Sequence, residues 1–450
     1  MAALASSCCL PRGAAVGGAP GTASYAKPLR VEYDVDVLVA GGGPAGFAAA
    51  VAAARAGKSV LLVESSGFFG GAATAALVPA FAPFGDGVNR LVGGIGWEVR
   101  TRLRPSVPED AYWTPIDFEA LKRVYDAMAV EAGVRFSFFT VLCDVVAENG
   151  HVKYVVLSTK RGLMAARARV YIDCTGDADL VAYAGGACEK GDAKGEMMPP
   201  TLCSIWADID WTHIPDDMVL PGKSGERVGM RHQGDLKDRL RKAIADGVFT
   251  KPDYHLSGFF KQNGRASSIG NGNIGHVFGV DPLDERSLTE AMVDARSRLP
   301  EYERFYKEYM RGYERMRLVA TGSQLGVRES RRVVCEYMLT ADDFARRASF
   351  PDEIGRYCYP VDIHPQNADA ETYRRFLEEF TRKYCYKKGE SYGIPLRSLV
   401  PKGLDNVLVA GRCIGAAREM QASVRVMPCC FLTGEAAGRE AARRIGVSRA

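Results

Sequence analysis

Residues 36–46 read Asp36-Val-Leu-Val-Ala-Gly-Gly-Gly-Pro-Ala-Gly46, a run of apolar residues that ends in spaced glycines. The run from Asp34 predicts a buried strand that ends in a tight turn. Residues 45–56 are almost all small and apolar and predict a helix that lies flat on a sheet, and residues 59–64 predict a second buried strand. The chain therefore opens with a strand, turn, helix and strand unit.

The glycines of this stretch satisfy Gly-x-Gly-x-x-Gly in the strand-to-helix context that the motif needs. Gly41 permits the turn, Gly43 lets a pyrophosphate approach the backbone, and Gly46 lets helix and strand pack closely. The helix that opens at Pro44 and Ala45 directs free N–H groups and a positive partial charge at the same point. The motif predicts a phosphate-binding turn.

A carboxylate stands where the partner of such a turn is expected. Glu64 comes eighteen residues after Gly46, at the tip of the second predicted strand. A carboxylate in this position accepts hydrogen bonds from a ribose. The unit as a whole predicts a dinucleotide site, to which we also assign the neighbouring Ser65.

The order of the later segments distinguishes between dinucleotides. An NAD-binding half continues with alternating strands and helices. Here a glycine doublet follows Glu64 closely, and strand-like runs come at 134–146, 152–158 and 163–174. Their turn signals predict an antiparallel meander that feeds one more parallel strand. This order favours FAD, and we assign to its binding three residues around the doublet: Gly71, Ala72 and Thr74.

The middle of the chain differs from its two ends. Residues 185–392 are richer in charge, hold five of the six histidines and include a predicted charged helix at 287–316. The end returns to the first pattern, with a predicted strand at 406–411 and a small-residue helix at 428–444. We predict an α/β fold with a Rossmann-like FAD-binding domain, built from a parallel sheet plus an antiparallel meander, and an inserted α+β substrate or cap domain. The predicted boundaries are a disordered leader at 1–33, the FAD-binding domain at 34–195 and 392–450, and the substrate domain at 196–391.

Several motifs, in this order along residues 34–445, resemble the broad family of FAD-dependent oxidoreductases with a glutathione-reductase-like FAD-binding fold. They are the opening 36–46, the Gly70-Gly71 doublet, Ile172-Asp-Cys-Thr-Gly-Asp-Ala-Asp179, Gly326-Val-Arg-Glu-Ser-Arg-Arg332, Tyr359-Pro-Val-Asp-Ile-His364, Asn406-Val-Leu-Val-Ala-Gly-Arg412 and Ser423-Val-Arg-Val-Met427. The resemblance implies an enzyme that uses FAD.

The resemblance also implies where the flavin is held. Thr175, Gly176 and Asp177 would end a strand of the nucleotide-binding sheet and turn close to the FAD. Gly411 and Arg412 would form a second flavin contact, where an arginine has the charge to meet a phosphate.

Two further flavin contacts follow from the same resemblance. A helix that begins near Val426 and Met427 would direct its N–H groups at the pyrimidine side of the flavin, where negative charge grows when a hydride arrives. Leu142 would offer its backbone to the adenine.

Three arginines are candidates on the substrate side. The stretch at 326–332 holds three arginines and a glutamate, and either Arg328 or Arg331 could reach the flavin or an anionic or hydroxylated substrate. Arg425 lies between small and apolar neighbours near the flavin end. The alternative for the stretch at 326–332 is an outward ion pair without a catalytic role.

Candidate bases come from the histidines and a tyrosine. Oxidation of a C–H bond next to oxygen or nitrogen needs a group that takes the substrate proton, and histidine titrates near neutrality. His276 and His364 lie in stretches that match the family, although a lone histidine is often structural. Tyr392 comes just before the last predicted strand, and we expect its side chain to line the same substrate cavity as these histidines.

Composition and charge exclude other classes of protein. The chain has 450 residues, with 58 basic and 54 acidic side chains and a net charge of +4, which gives no support to a nucleic-acid or membrane partner. No apolar run reaches the roughly 18 residues of a membrane span. The twelve cysteines include no Cys-x-x-Cys pair, and no spacing suggests a metal site. We expect a cytoplasmic protein with reduced thiols; a homo-oligomer stays open.

We predict hydride transfer to FAD from a small-molecule substrate, by oxidation of a C–OH, C–N or C–C bond, with the electrons passed to an unidentified acceptor. One alternative is a flavin-dependent enoate reductase of the fumarate-reductase type, which the arginine-rich stretch keeps open. The other is a binding module that keeps the fold and has lost the chemistry.

Overall fold

The computed structural model describes residues 23, 25–104, 111–215, 218–221, 227–230, 236–254, 256–262, 267–366, 369–376, 378 and 383–446. Most of the predicted leader lies outside these residues. Within them, no helix has the length and apolar character needed to cross a membrane.

Helices and strands alternate in the first part of the chain, and strands dominate its middle. In chain order the strands are β1 (Val31–Ala40), β2 (Val60–Val63), β3 (Ala80–Phe81), β4 (Thr114–Pro115), β5 (Arg135–Ser137), β6 (Val141–Glu148), β7 (His151–Thr159), β8 (Gly162–Asp173), β9 (Cys188–Lys190), β10 (Ser204–Ala207), β11 (Val219–Pro221), β12 (Arg227–Met230), β13 (Leu256–Lys261), β14 (Gly270–Ile274), β15 (Arg317–Thr321), β16 (Arg331–Val333), β17 (Glu353–Tyr357), β18 (Tyr392–Pro395) and β19 (Val407–Val409). The α-helices are α1 (Pro44–Arg55), α2 (Gly94–Leu103), α3 (Phe118–Glu131), α4 (Asp179–Tyr183), α5 (Leu236–Ala245), α6 (Glu285–Tyr309), α7 (Ala341–Ala345), α8 (Ala370–Phe376), α9 (Arg418–Val424) and α10 (Met427–Ile445).

The first sheet has the order β5-β2-β1-β8-β7-β6, and β19 also pairs with β8. β5, β2, β1, β8 and β19 are parallel to one another, whereas β6, β7 and β8 form an antiparallel meander. Parallel strands are buried on both faces, which explains the unbroken apolar runs in β2 and β19. This sheet confirms the predicted parallel sheet with a meander that leads into a further parallel strand.

The two ends of the chain meet where α1 packs on α10. A Cβ added at Gly434 would lie 2.0 Å from the carbonyl oxygen of Ala45, and one at Gly438 would lie 2.2 Å from that of Ala49. Because these glycines have no side chain, the two helix backbones touch directly. The close packing brings the α10 N-terminus to the side of the sheet that holds the start of α1.

A second sheet forms a separate hydrophobic core. Its order is β11-β12-β13-β14-β10-β15, and every pair in it is antiparallel. Buried side chains between Leu202 and Leu325, including those of α6, make up this second core. Residues of the later segment 333–363 belong instead to the first core. The domain boundaries at 195 and 391 stay predictions.

Three predicted element boundaries are wrong. β1 begins at Val31, three residues before the expected start, because Val31 already pairs with Ala165 of β8. The run at 134–146 is two strands, β5 and β6, since the chain turns at Phe139 with a positive φ of 52°. The predicted helix at 287–316 is α6, which ends at Tyr309.

Candidate functional site

The Gly-x-Gly-x-x-Gly turn lies at the end of β1, as predicted. Gly41 has φ 94°, and a Cβ there would lie 2.4 Å from the carbonyl oxygen of Cys174 in the adjoining strand end. A Cβ at Gly46 would lie 1.8 Å from the carbonyl oxygen of Gly41. Only glycine fits either position, so the turn brings bare backbone to the start of α1.

Helix α1 begins at Pro44, with Gly43 as its capping residue and Ala45 next in its first turn. Within the described part of the chain, no side chain caps this end, and the first turn holds no acidic residue. The first N–H groups of a helix have no partner inside the helix. This terminus therefore presents donors and positive potential suited to a phosphate.

Glu64 is buried beside this turn, at the end of β2. Its Oε2 accepts the N–H of Gly42 at 2.7 Å, and its Oε1 accepts the N–H of Ser66 at 2.8 Å and the hydroxyl of Ser65 at 3.2 Å. The carboxylate thus holds the glycine turn against the end of β2. Its contact with a ribose stays a prediction.

The glycine doublet forms a second turn against the first. A Cβ at Gly71 would lie 3.1 Å from the Cα of Gly43, so the two turns are in close contact. Ala72 is exposed next to them, whereas Thr74 is buried and its hydroxyl donates to the carbonyl of Phe69 at 2.7 Å. Gly71 and Ala72 are therefore placed for a ligand contact, and the Thr74 side chain is committed to its own loop.

The ends of β8 and β19 approach the same region. Thr175 donates its hydroxyl to Asp173 at 2.8 Å, and Arg412 binds Asp177 at 2.6 Å across Gly176. The predicted phosphate-binding charge of Arg412 is thus already paired with a carboxylate. The nearby Gly411 has φ 86° and donates its N–H to Thr433 of α10 at 3.0 Å.

Helix α10 has a second uncapped N-terminus. It begins at Met427, with Val426 as its capping residue, and within the described residues no side chain caps it and no acid lies in its first turn. Leu142 lies in β6, two residues beyond Thr140, whose N–H donates to the Glu64 carbonyl at 3.0 Å. The structure therefore brings the flavin-contact candidates toward two helix N-termini and the ends of β2, β8 and β19.

The two predicted histidines meet in a buried cluster, although they are 88 residues apart in sequence. Nε2 of His276 lies 2.9 Å from Nδ1 of His364. Nδ1 of His276 lies 3.0 Å from Oδ2 of Asp253, and Nε2 of His364 lies 3.4 Å from Oδ2 of Asp362. These four side chains, which we call the histidine cluster, form a continuous chain of polar contacts from Asp253 to Asp362.

Two of the three predicted arginines, Arg328 and Arg425, border the histidine cluster. Arg425 donates to the carbonyl oxygen of Asp362 at 3.1 Å and approaches its carboxylate at 3.4 Å. Arg425 follows α9 and directly precedes the capping residue of α10, which connects the cluster to that helix N-terminus. Arg328 is buried and donates to Pro199, Thr201 and Asn273, all of them neutral acceptors.

The electrostatics of the cluster keep both histidines neutral. Burial, together with the charge of Arg328, lowers the pKa of His364 to about 3, and burial also lowers the pKa of His276. Burial and the nearby Arg425 lower the pKa of Arg328 to about 10. A neutral imidazole is the form that accepts a proton, but the same burial makes both histidines weaker bases than free histidine.

The other arginines of the 326–332 stretch lie elsewhere. Arg331 binds Asp179 at 3.1 Å, and burial with two nearby carboxylates raises the pKa of Asp179 to about 6. Arg332 binds the fully buried Glu329 at 2.9 Å, and Arg418 binds the same carboxylate at 3.1 Å. Of the two arginines that the sequence offered in this stretch, Arg328 borders the histidine cluster and Arg331 does not.

Tyr392 is fully buried in the first core. Its hydroxyl lies 2.7 Å from that of Ser423, which in turn donates to the carbonyl of Tyr359. Burial raises its pKa well above the ordinary value. Through Ser423 and Tyr359, the Tyr392 side chain therefore holds the segment that carries Asp362 and His364. This buried position does not support the predicted place of Tyr392 in the substrate cavity.

Sequence reasoning missed Asp253 and Asp362. Asp253 lies in the middle segment with no recognisable motif around it, and only its tertiary contact with His276 reveals it. Asp362 lies inside the motif at 359–364, and its place two residues before His364 was the available signal.

The cysteines of the described residues, from Cys143 to Cys430, are all free thiols. Cys429 and Cys430 are buried in α10, and burial raises the pKa of both thiols, that of Cys430 to about 12. Thiols with raised pKa values stay protonated and react poorly. Within the described residues, no group of three or more His, Cys, Asp or Glu side chains could hold a metal ion.

Comparison with known proteins gives one family. The sequence model of the family described as FAD dependent oxidoreductase matches residues 36–448. A search of curated proteins finds no match. Similar solved structures include a geranylgeranyl bacteriochlorophyll reductase-like protein from Thermoplasma acidophilum (14% identity over 92% of this chain and 78% of that chain, TM-score 0.40) and a triple mutant of a flavin-dependent brominase (13% identity over 92% and 81%, TM-score 0.45). A third is p-nitrophenol 4-monooxygenase from Pseudomonas putida (14% identity over 68% and 71%, TM-score 0.39).

Since the family model spans nearly the whole chain, the chain belongs to the FAD-dependent oxidoreductase family, and it is an oxidoreductase that uses FAD.

Proposed function

We propose that the enzyme oxidises a small organic substrate at a C–H bond next to oxygen or nitrogen, and that His364 takes the substrate proton. The observation that carries the proposal is the histidine cluster beside the α10 N-terminus, with Arg328 and Arg425 at its edge. Neutral imidazole next to two guanidinium groups suits a substrate that is anionic or hydroxylated and must lose a proton.

The residues of the predicted FAD-binding domain, at 34–195 and 392–450, fit FAD. The turn at Gly41, Gly43 and Gly46 would take the pyrophosphate at the start of α1, with Gly71 against it. Near α10, the buried Nε of Arg425 has no hydrogen-bond partner within the described part of the chain. Such an orphaned buried donor is explained by a group that is bound there. Bound FAD supplies a two-electron acceptor for the hydride of a substrate C–H bond.

Arg328 is the proposed substrate anchor. It is buried, and its hydrogen-bond acceptors are a carbonyl, a hydroxyl and an amide oxygen, so the described contacts give its charge no carboxylate. A buried charge without a counterion is costly. A substrate carboxylate or a polarised hydroxyl would offset that cost, and the planar guanidinium would also orient the substrate.

His364 and Asp362 form the proposed proton acceptor. Asp362 has a side chain that is 32% exposed, whereas His364 is 6% exposed behind it. A substrate proton would therefore reach the cluster at this end. The positive charge that forms on His364 would lie next to the carboxylate of Asp362.

One observation favours a second candidate, reduction of an enoate. The pKa of Arg328 is lowered to about 10, which makes its guanidinium a better proton donor than an ordinary arginine. In this direction the two arginines would bind the substrate carboxylate, and one of them would protonate the carbon next to it.

The first experiment is an absorbance spectrum of the purified protein, followed anaerobically with panels of polyols, hydroxy acids and amines. Bleaching of the flavin bands by a hydroxyl or amine compound supports the oxidation. Reoxidation of dithionite-reduced protein by an enoate supports the reductase instead. A flavin that responds to neither group of compounds contradicts both proposals. Oxygen and artificial acceptors added after bleaching would identify the class of electron acceptor.

A further inference from the structure

We propose that the ring of Phe139 packs on the adenine of bound FAD, and that the strained backbone of this residue is retained for that contact. Phe139 belongs to none of the motifs that resemble the family. The inference rests on the FAD cofactor and depends neither on the proposed oxidation nor on the direction of the reaction.

The backbone of Phe139 is in a conformation that aromatic residues rarely adopt. Phe139 lies in the turn between β5 and β6, with a φ of 52°. A positive φ is an outlier for a bulky residue, whereas asparagine and glycine tolerate it better. The N–H of Phe139 donates to the carbonyl of Ser66 at 3.1 Å, and the N–H of Thr140 donates to the carbonyl of Glu64 at 3.0 Å. These two hydrogen bonds fix the turn to the segment that follows β2.

The ring gains little burial from this conformation. A Cβ at Gly67 would lie 2.7 Å from Cζ of Phe139, so the ring rests on the backbone of a glycine. Even so, Phe139 is 60% exposed. Packing within the chain therefore does not explain an aromatic side chain at a strained position. A flat apolar group bound over the ring does.

The position of the ring in the site points to adenine as that group. Direct contacts lead from the N–H of Gly42 to the carboxylate of Glu64, from this carboxylate to the N–H of Ser66, and from the Ser66 carbonyl to the N–H of Phe139. The glycine turn is predicted to hold the pyrophosphate, and Glu64 is predicted to hold the ribose. In FAD the adenine follows this pyrophosphate and ribose, so the base comes next, at the ring of Phe139. Val141 adds a second apolar side chain there that is 46% exposed.

Strained apolar residues also lie beside other parts of the predicted FAD site. Leu77 has a φ of 55° and follows the turn of the glycine doublet, and Ala178 has a φ of 58° and directly follows Asp177. Such conformations persist where the surrounding structure enforces them, and they cluster at active sites and ligand clamps. Together with Phe139, they place backbone strain at three segments around the proposed cofactor.

The variant Phe139→Asn tests the contact, because it removes the ring and supplies a residue that tolerates positive φ. We expect the dissociation constant of FAD for the apoprotein to increase roughly 5-fold to 150-fold, which is the range for loss of one base–aromatic stack. Quenching of flavin fluorescence measures this constant. An unchanged constant would overturn the proposal.

The stability of the same variant separates binding from folding. The apoprotein of Phe139→Asn should unfold at the same urea concentration as the wild type or at a higher one, because relief of the strained backbone offsets the lost ring contact. A variant that loses both stability and FAD affinity would show that the ring serves the fold, and this outcome also overturns the proposal.

Two further variants are the controls. Phe139→Tyr keeps an aromatic ring and should keep the wild-type affinity for FAD. Leu163→Asn removes an apolar side chain that is 39% exposed near the start of β8, at the opposite end of this strand from Asp173. It should leave FAD affinity unchanged, and a loss equal to that of Phe139→Asn would contradict a specific contact.

ADP distinguishes a contact with adenine from an effect on the flavin end, since it carries the adenine, ribose and pyrophosphate but no flavin. Phe139→Asn should increase the dissociation constant of ADP, measured by its competition with FAD, by the same factor as that of FAD. An unchanged ADP constant beside weaker FAD binding would exclude the adenine contact. These measurements need no substrate, so their outcome is independent of the proposed oxidation.

Discussion

At the scale of single residues, the same side-chain type has opposite roles in neighbouring positions. Arg328, Arg331 and Arg332 lie within five residues, yet Arg328 borders the histidine cluster, Arg331 binds Asp179 and Arg332 binds Glu329. Arg331 and Arg332 are consecutive residues of β16, so their side chains point to opposite faces, whereas Arg328 precedes the strand. The role of each arginine depends on this local geometry and on its partners.

Replacement of His364 tests the proposed base. His364→Asn should slow flavin reduction by a factor of about 10² to 10⁴, because general base catalysis contributes about that much. The variant should still bind FAD, since His364 does not lie in the predicted phosphate-binding turn. Stopped-flow absorbance under anaerobic conditions measures the rate.

The matched control for His364 is His151→Asn. The side chain of His151 is 45% exposed, and its Nδ1 lies 2.8 Å from Asp405. The flavin of this control variant should be reduced at the wild-type rate. Equal rates in the His364 variant and the control would exclude His364 as the base.

Replacement of Arg328 distinguishes the two proposed directions of reaction. Arg328→Met keeps a long apolar side chain and removes the charge, and loss of hydrogen bonds to a charged group costs about 1.5 to 3 kcal/mol. We expect an increase in KM of roughly 10-fold to 100-fold for an anionic substrate of the oxidation, measured by steady-state kinetics. A fall in kcat for an enoate, with KM little changed, would instead indicate that Arg328 donates the proton.

The control for Arg328 is Arg397→Met. Arg397 is exposed and binds Asp352 at 3.0 Å, so its replacement should change neither KM nor kcat.

At the scale of elements, the contact between α1 and α10 fixes the relative position of the two helix N-termini. The helices approach so closely because Gly434 and Gly438 face Ala45 and Ala49 without side chains between them. The N-terminus of α1 adjoins the predicted phosphate turn, and that of α10 adjoins Arg425. A change in helix spacing would therefore alter both ends of the proposed flavin site.

Gly434→Val tests this packing. Its Cβ would lie 2.0 Å from the carbonyl oxygen of Ala45, a contact that only movement of a helix can relieve. Overpacking of a core costs typically about 1 to 3 kcal/mol, so the free energy of unfolding should fall by at least that amount and FAD retention should fall with it. Urea unfolding and the flavin content of the purified protein measure the two effects.

The control for Gly434 is a change on the opposite face of the same helix. Arg439→Ala alters an exposed side chain that binds Glu435, and exposed ion pairs contribute about 0 to 1 kcal/mol. A variant Gly434→Val with wild-type stability and FAD content would show that the helices can separate without cost.

At the scale of the whole molecule, burial of neutral histidines makes the fold sensitive to acid. The pKa of His364 is about 3 in the folded protein, against an ordinary value of 6.5 in the unfolded chain. Between these values the unfolded chain binds a proton that the folded protein does not, so stability rises with pH through this window. The lowered pKa of His276 acts in the same direction.

The free energy of unfolding should therefore fall on acidification from pH 6.5 to 5. At about 1.4 kcal/mol per pH unit, His364 alone contributes a loss of at most about 2 kcal/mol over this range. Urea unfolding at several pH values measures the slope. His364→Asn should flatten it relative to His151→Asn, and identical slopes in the two variants would contradict the neutral buried state of His364.

Local sequence predicted the nucleotide-binding half well, because steric rules act over a few residues. Gly41 and Gly46 are required by backbone atoms within reach of the same turn, and Glu64 follows at the end of the next strand. The parallel strands were recognisable because burial on both faces leaves an apolar run. Element ends such as Val31 and Tyr309 were missed, since strand pairing and tertiary turns decide where an element ends.

The family, the cofactor and the glycine turn between β1 and α1 could be predicted from the sequence, because each depends on short motifs with a local physical reason. That His276 meets His364, that Asp253 lies behind them and that Tyr392 is part of the core could be seen only in the folded structure. These contacts join segments 23 to 88 residues apart in sequence. No local periodicity marks such contacts, and that between His276 and His364 forms only where a segment of the second core meets a segment of the first.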